Sequence, residues 1–270
     1  MERSLYFVLL LFFASFQASA WALDKSASAI MKAVDESYRG DTRTIIIQVV
    51  LVDKDKTRNY RKIRTINKMY GRDEKGLTYI LEPAKLKGTG FLSYDWSLQT
   101  RENEAWIYLP DLGKVTRLST SNRADYFLGS DFTYGDLERL EVDDFDYQFA
   151  DDERPAATGE VIIDALPRAD ILDHVIDKTG YTRIRYWVDT ERVFVMKAKY
   201  WLKDKGWVKY YTASRVEQVS GAWIAKNEQM ILTRHDQMVH ATLMMVESIE
   251  LNNSVDDSVF TTYGLEKSLQ

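Results

Sequence analysis

WIYLPDLGKVTRLSTSNRADYFLGSDFTYGDLERL, residues 106–140, decides the reading of this chain. Trp106–Leu109 is a short aromatic and aliphatic run, favourable on a pleated sheet. Pro110, Asp111 and Gly113 form a turn, because proline presets φ and glycine admits a positive one. Lys114–Leu118 returns as a second strand. Ser119–Asp125 has no apolar periodicity and reads as loop. Thr133-x-x-Asp136 has the spacing of a variant capping box, so a short helical segment starts there. Between Asn122 and Gly135 lies an apolar centre, Tyr126, Phe127 and Leu128, that needs a place to bury. It either anchors the loop to a core or closes the mouth of a cavity, with Gly129 and Gly135 as hinges.

The rest of the chain is strand and turn to match. Thr44–Val52 is rich in β-branched residues, with Ile45, Ile47, Val49 and Leu51 on one face. Tyr181–Val188 alternates, and so does Phe194–Leu202, where Phe194, Met196 and Tyr200 share a face opposite Lys197 and Lys199. Val208, Tyr210 and Thr212 follow, and Met238–Leu251 is the last long strand. Clean alternation means one buried and one wet face. Closely spaced strands make an antiparallel sheet that curls. The expected fold is mainly β, a half-open antiparallel β-barrel with a few helices covering the concave face. Leu23–Tyr38 is the first helix, capped by Asp24 and stopped by Gly40, with Ile30 and Val34 on its apolar side. Arg168–Asp177 is a second, shorter helical stretch.

WIYLPDLGKVTRLSTSNRADYFLGSDFTYGDL resembles the signature of the LolA-like, outer-membrane lipoprotein-sorting family of bacterial periplasmic proteins. ILEPAKLKGTGFL, Ile80–Leu92, resembles another block of that family, as does YWVD, Tyr186–Asp189. The resemblance implies the same half-open barrel, and transfer of cargo from inner to outer membrane. It also implies an inner-membrane exporter of the RND type and an outer-membrane acceptor as partners.

Residues 1–22 read as a secretory signal. Arg3 supplies the positive start, offset by Glu2, and Leu5–Phe16 is apolar but too short to span a bilayer. Ala18-Ser19-Ala20 and Ala20-Trp21-Ala22 both fit the small-residue cleavage rule. The expectation is a periplasmic protein with one domain over residues 23–270. The chain has no cysteine, which removes disulfides, thiol chemistry and a lipobox. A net charge of −5 does not suggest nucleic acid as a partner.

No catalytic constellation stands out. His235 and His240 are five apart, which sets them on opposite faces of a strand. No zincin motif and no nucleophile elbow is present. The run Asp143, Asp144, Asp146, Asp151, Asp152 and Glu153 lacks the glycine and terminal glutamate of a calcium loop and reads as a solvated turn. The chain is therefore expected to be no enzyme, with no cofactor and no metal. Its expected cargo is the acyl chain of a lipid or lipoprotein, held by Trp106, Tyr108, Phe194, Met196, Tyr200 and Tyr210. Ile30, Val34, Tyr126, Phe127 and Leu128 would be the lid. The alternative is an envelope accessory protein that clamps a partner with the same fold and carries no lipid.

Overall fold

The computed structural model describes residues 26–97, 101–119, 122–138 and 140–267. The signal segment and the Asp24 cap lie outside the described residues. The first helix, α1 (Ala27–Asp35), is shorter than expected, and Ser26 caps it by accepting from the Ala29 N–H. The strands are β1 (Thr42–Asp53), β2 (Arg58–Tyr70), β3 (Asp73–Glu82), β4 (Gly90–Asp95), β5 (Glu104–Leu109), β6 (Lys114–Arg117) and β7 (Phe145–Phe149). Then come β8 (Glu160–Pro167), α2 (Leu172–Thr179), β9 (Tyr181–Asp189), β10 (Phe194–Leu202), β11 (Trp207–Val219), β12 (Ala222–Arg234), β13 (Gln237–Leu251) and α3 (Thr262–Lys267). No helix among the described residues is long and apolar enough to cross a membrane.

The thirteen strands among the described residues join one antiparallel sheet in the order β6-β5-β4-β3-β2-β1-β13-β12-β11-β10-β9-β8-β7. The sheet does not close, and the half-open architecture expected from the alternation is what forms. Its ends are β6 and β7, which are consecutive in the chain. The predicted turn between β5 and β6 is present as Pro110–Leu112 with Gly113 at φ 56°, a conformation glycine enters without a Cβ clash.

The segment joining β6 to β7 shows how far the sheet curls. Phe127 packs on Phe91 of β4, and Asp136 bonds Tyr181 of β9. Those strands are eight spacings apart in the sheet, or about 38 Å on a flat sheet. Nine residues that include a 3-10 turn at Gly135–Leu137 span less than that, so the sheet wraps around the segment. We call the wrapped side the inner face.

Register keeps the inner face apolar. Leu51, Thr242, Met230, Tyr211, Ala198, Tyr186 and Ile163 are successive cross-strand partners from β1 to β8. Most sit in the main core with Ile47, Val49, Ile63, Ile80 and Val188, and α1 and α2 close over it through Met31 and Val175. The outer face of β3–β5 carries a second core, where Leu77, Tyr79 and Leu92 pack against Phe260 and Leu265 beside α3.

Candidate functional site

An apolar cleft of about 680 Å³ lies between the C-terminal half of α1 and the inner face of β1 and β10–β13. That volume falls within the range of pockets that hold small ligands. Ile45, Ile47, Val195, Ala225 and Val246 contribute apolar side chains, and Ala33 and Val34 of α1 face them. The mouth opens beside the β9–β10 turn and Gly221, and carries Arg39, Arg43 and Arg192 with Glu191. Arg192 pairs with Asp189 at 2.5 Å and lies 5.4 Å over the Trp223 ring. Arg43 pairs with Glu74. A neighbouring hollow of about 350 Å³ is rimmed by Asp35, Glu36, Arg72 and Glu74, and its charge suits no acyl chain.

Two polar groups stand in the cleft wall. Glu228 faces inward from β12, opposite Met244 and Ala213. Its Oε1 accepts the Tyr211 hydroxyl at 2.6 Å. Burial pushes the Glu228 carboxyl upward, and only the Tyr211 hydrogen bond opposes that shift. Burial of a carboxyl with no cation beside it favours its neutral form over its charged one.

The other end of the inner face is filled by the β6–β7 segment, which is fastened at five places. Phe127 is 5 % exposed and sits among Phe91, Ala105, Ile107 and Tyr134. The Arg61 guanidinium donates to the Leu128 carbonyl. Asp131 accepts from Thr242 at 2.7 Å and lies 2.7 Å from His240 Nδ1. Lys209, with no exposed surface, donates to Asp136 at 3.2 Å and to the Tyr181 hydroxyl at 3.0 Å. The Arg123 guanidinium donates to the Asn103 carbonyl just before β5, and its Nη1 is 3.1 Å from Glu138 of the same segment, both nearly sealed. The capping-box spacing is real: the Thr133 N–H donates to Asp136 at 2.8 Å, and the Asp136 N–H donates to the Thr133 hydroxyl at 3.1 Å.

Near Arg123 the burial of charge is unusual. Burial, then the neighbouring Glu138, pushes the Asp95 carboxyl well above the ordinary carboxylate range. Burial pushes Glu138 up to about 7, against the pull of Arg123 and Lys178.

The expected site residues divide accordingly. Phe194 lines the cleft together with Val34. Met196 does not, because a register break between Val195 and Lys197 gives the inward place to Val195. Tyr200 faces inward but is core, its ring 4.7 Å from that of Tyr181. Tyr210 points the other way: its inward neighbours are Lys209 and Tyr211, and Lys199 lies 5.4 Å over its ring on the outer side. Trp106 and Tyr108 also face outward, packed in the core beside α3. Ile30 packs on the main core. Tyr126 is 39 % exposed, with Lys209 4.9 Å over its ring. Phe127 and Leu128 are anchored as described, and Gly135 packs against the Lys178 carbonyl, where a Cβ would sit 3.1 Å away. The acidic run forms a turn, β7 and an exposed loop, and no cluster placed to hold a metal ion occurs among the described residues.

Sequence reasoning missed Glu228, Tyr211, Lys209 and the Arg123–Glu138 pair. For Glu228 and Lys209 the available signal was a charged residue at an inward position of an alternating strand, legible only once register is known; Tyr211 and the Arg123–Glu138 pair gave none.

A family profile described as "Uncharacterized protein" matches residues 72–267. The chain belongs to that family, and its fold is LolA-like. A crystal structure from Vibrio parahaemolyticus, described as a "putative outer membrane lipoprotein-sorting protein domain", matches with a TM-score of 0.77 at 21% identity, over 89% of this chain and 98% of that one. A DUF1329 family protein from Desulfovibrio piger matches with a TM-score of 0.78 at 22% identity, over 88% and 97%. A LolA superfamily protein from Nitrosomonas europaea gives 0.66 at 16% identity, over 88% and 99%. The comparison with curated proteins returned no match. The LolA-like sheet thus carries a cleft at one end and a fastened plug at the other.

Proposed function

We propose that this LolA-like protein is a periplasmic carrier that holds the acyl chain of a lipid or lipid-modified protein in the cleft beneath α1. The observation that carries the reading is the cleft itself: about 680 Å³ of largely apolar space, covered by a nine-residue helix. Each buried CH₂ of a chain contributes about 0.8 kcal/mol. Release then needs a cover whose own apolar contacts substitute for the cargo's. Met31, Ile30 and Val34 of α1 already rest on the main core and are suited to that exchange. One structural neighbour is described as an outer membrane lipoprotein-sorting protein domain; on this reading the cargo moves from inner to outer membrane, between an exporter and an acceptor.

The plugged end favours a second reading in part. An inner face packed by the β6–β7 segment leaves less room for cargo, and a packed interior with an exposed apolar patch is what an accessory protein clamping an envelope partner would show. Mass spectrometry of the gently purified protein separates the two. Co-purified lipid at near-stoichiometric amount supports the carrier, and a lipid-free protein from the gentle purification contradicts it. The same fractionation, with N-terminal sequencing, tests export: the mature chain is expected to start at Trp21 or Leu23 in the periplasmic fraction.

A further inference from the structure

The wall of the cleft is not uniformly apolar, and the exception is placed where cargo would lie. Glu228 projects from β12 into the space bounded by Ile47, Val195 and Val246. Its Oε1 is engaged by the Tyr211 hydroxyl. Among the described residues, no group bonds its other oxygen, and Glu228 is only half-buried, so that oxygen is accessible from the cleft. A purely hydrocarbon cargo would leave this oxygen without a partner, which costs more than an apolar wall would. The cleft is therefore built for a ligand that is apolar along most of its length and polar at one point.

The charge state selects the polar group. No cation offsets the burial of Glu228, and the Tyr211 hydroxyl already uses one oxygen. When protonated, as burial favours and as a dry, cargo-filled cleft favours further, the carboxyl presents one O–H donor toward the cleft. It is matched by a carbonyl oxygen, and a free carboxylate gains less because its own charge would have to enter the same apolar space. We propose that Glu228, held by Tyr211, takes the carbonyl oxygen of an acyl ester and makes the cleft selective for esterified chains over bare hydrocarbon. The inference rests on the carrier reading and adds the chemical class of its cargo.

The test compares two fluorescent probes, a polyene fatty-acid methyl ester and a polyene hydrocarbon of similar length, titrated into the wild-type mature chain and three variants. The wild type is expected to bind the ester more tightly. Glu228→Leu removes the donor and is expected to weaken ester binding about tenfold while leaving the hydrocarbon unchanged or tighter. Glu228→Gln keeps an N–H donor and is expected to retain the ester preference. Tyr211→Phe keeps the ring, frees the carboxyl to rotate, and is expected to reduce the preference several-fold. Thermal melts on each variant confirm folding, and Tyr211→Phe supplies the answer if Glu228→Leu does not fold. Ester and hydrocarbon affinities that move together across the variants overturn the ester site and leave the carrier standing. A wild type that binds neither probe overturns the carrier and the ester site with it.

Discussion

The Phe127 ring packs edge-on against Phe91, 5.9 Å between centroids, with Tyr134 5.5 Å from Phe127 and 5.4 Å from Phe91. This triad belongs to a core, and Phe127 is accordingly an anchor. Phe127→Ala is expected to cost about 3–5 kcal/mol, as a core phenylalanine does, and to leave the rate of lipid exchange unchanged. Chemical denaturation and an exchange assay on this variant check both halves. Faster exchange without loss of stability would return the segment to the role of gate.

The fastening at Lys209 leads to a non-additive outcome. Its ammonium is fully buried against Asp136 and Tyr181. Asp136→Asn leaves that charge without its counterion and is expected to destabilise the fold by about 3–5 kcal/mol. Adding Lys209→Met removes the stranded charge, so the double variant should be the more stable of the two. Urea midpoints of the single and double variants measure the coupling. Additive losses would mean that the pair does not act as a unit.

Glu138 makes stability depend on pH across the neutral range. Burial raises its carboxyl from the ordinary 4.5 to about 7. A raised acid is neutral in both folded and unfolded chains below about 4.5, so its contribution is complete there. It is lost as the pH rises through 7, because the unfolded chain then ionises more readily. The fold is expected to be less stable at pH 8 than at pH 5 by on the order of 3 kcal/mol from this group. Glu138→Gln should flatten that part of the curve, as read from denaturant midpoints at the two pH values. An unchanged pH slope in the variant would remove Glu138 as its source.

The register break in β10 reassigns one face. Val195, not Met196, faces the cleft. Val195→Glu is expected to weaken uptake of a fluorescent fatty acid at least tenfold, whereas Met196→Glu and Lys197→Glu should bind like the wild type. Circular dichroism establishes that each variant is folded, since a buried charge can unfold a sheet. Equal loss for Val195→Glu and Met196→Glu would contradict the assignment.

The fold was legible because alternation and turn residues act locally. Ile45, Ile47, Val49 and Leu51 declare one face of β1, and Pro110 and Gly113 declare the turn that follows β5. The sites were less legible because they depend on events that local pattern does not encode. The Val195–Lys197 irregularity hides Met196's direction from simple counting by twos. The inward face of β11 runs through Lys209, Tyr211 and Ala213, so a charged residue stands where alternation calls for an apolar one, and Tyr210 is misassigned. Trp106 and Tyr108 look like cavity residues until α3, far along the chain, is seen to cover the outer face of β5. The loop anchor at Phe127 depends on Phe91, and the two meet only after the sheet has curled.

The central claim is that cargo occupies the cleft beneath α1. Ala225 is 7 % exposed and lies in the wall of this space. Ala225→Trp fills that space without disturbing the fastened end of the sheet. Titration of a fluorescent fatty acid into the wild type and this variant is the direct measurement. The account predicts saturable binding by the wild type and binding at least tenfold weaker by Ala225→Trp, with closely similar melting temperatures. Superimposable titration curves for two folded proteins would contradict it.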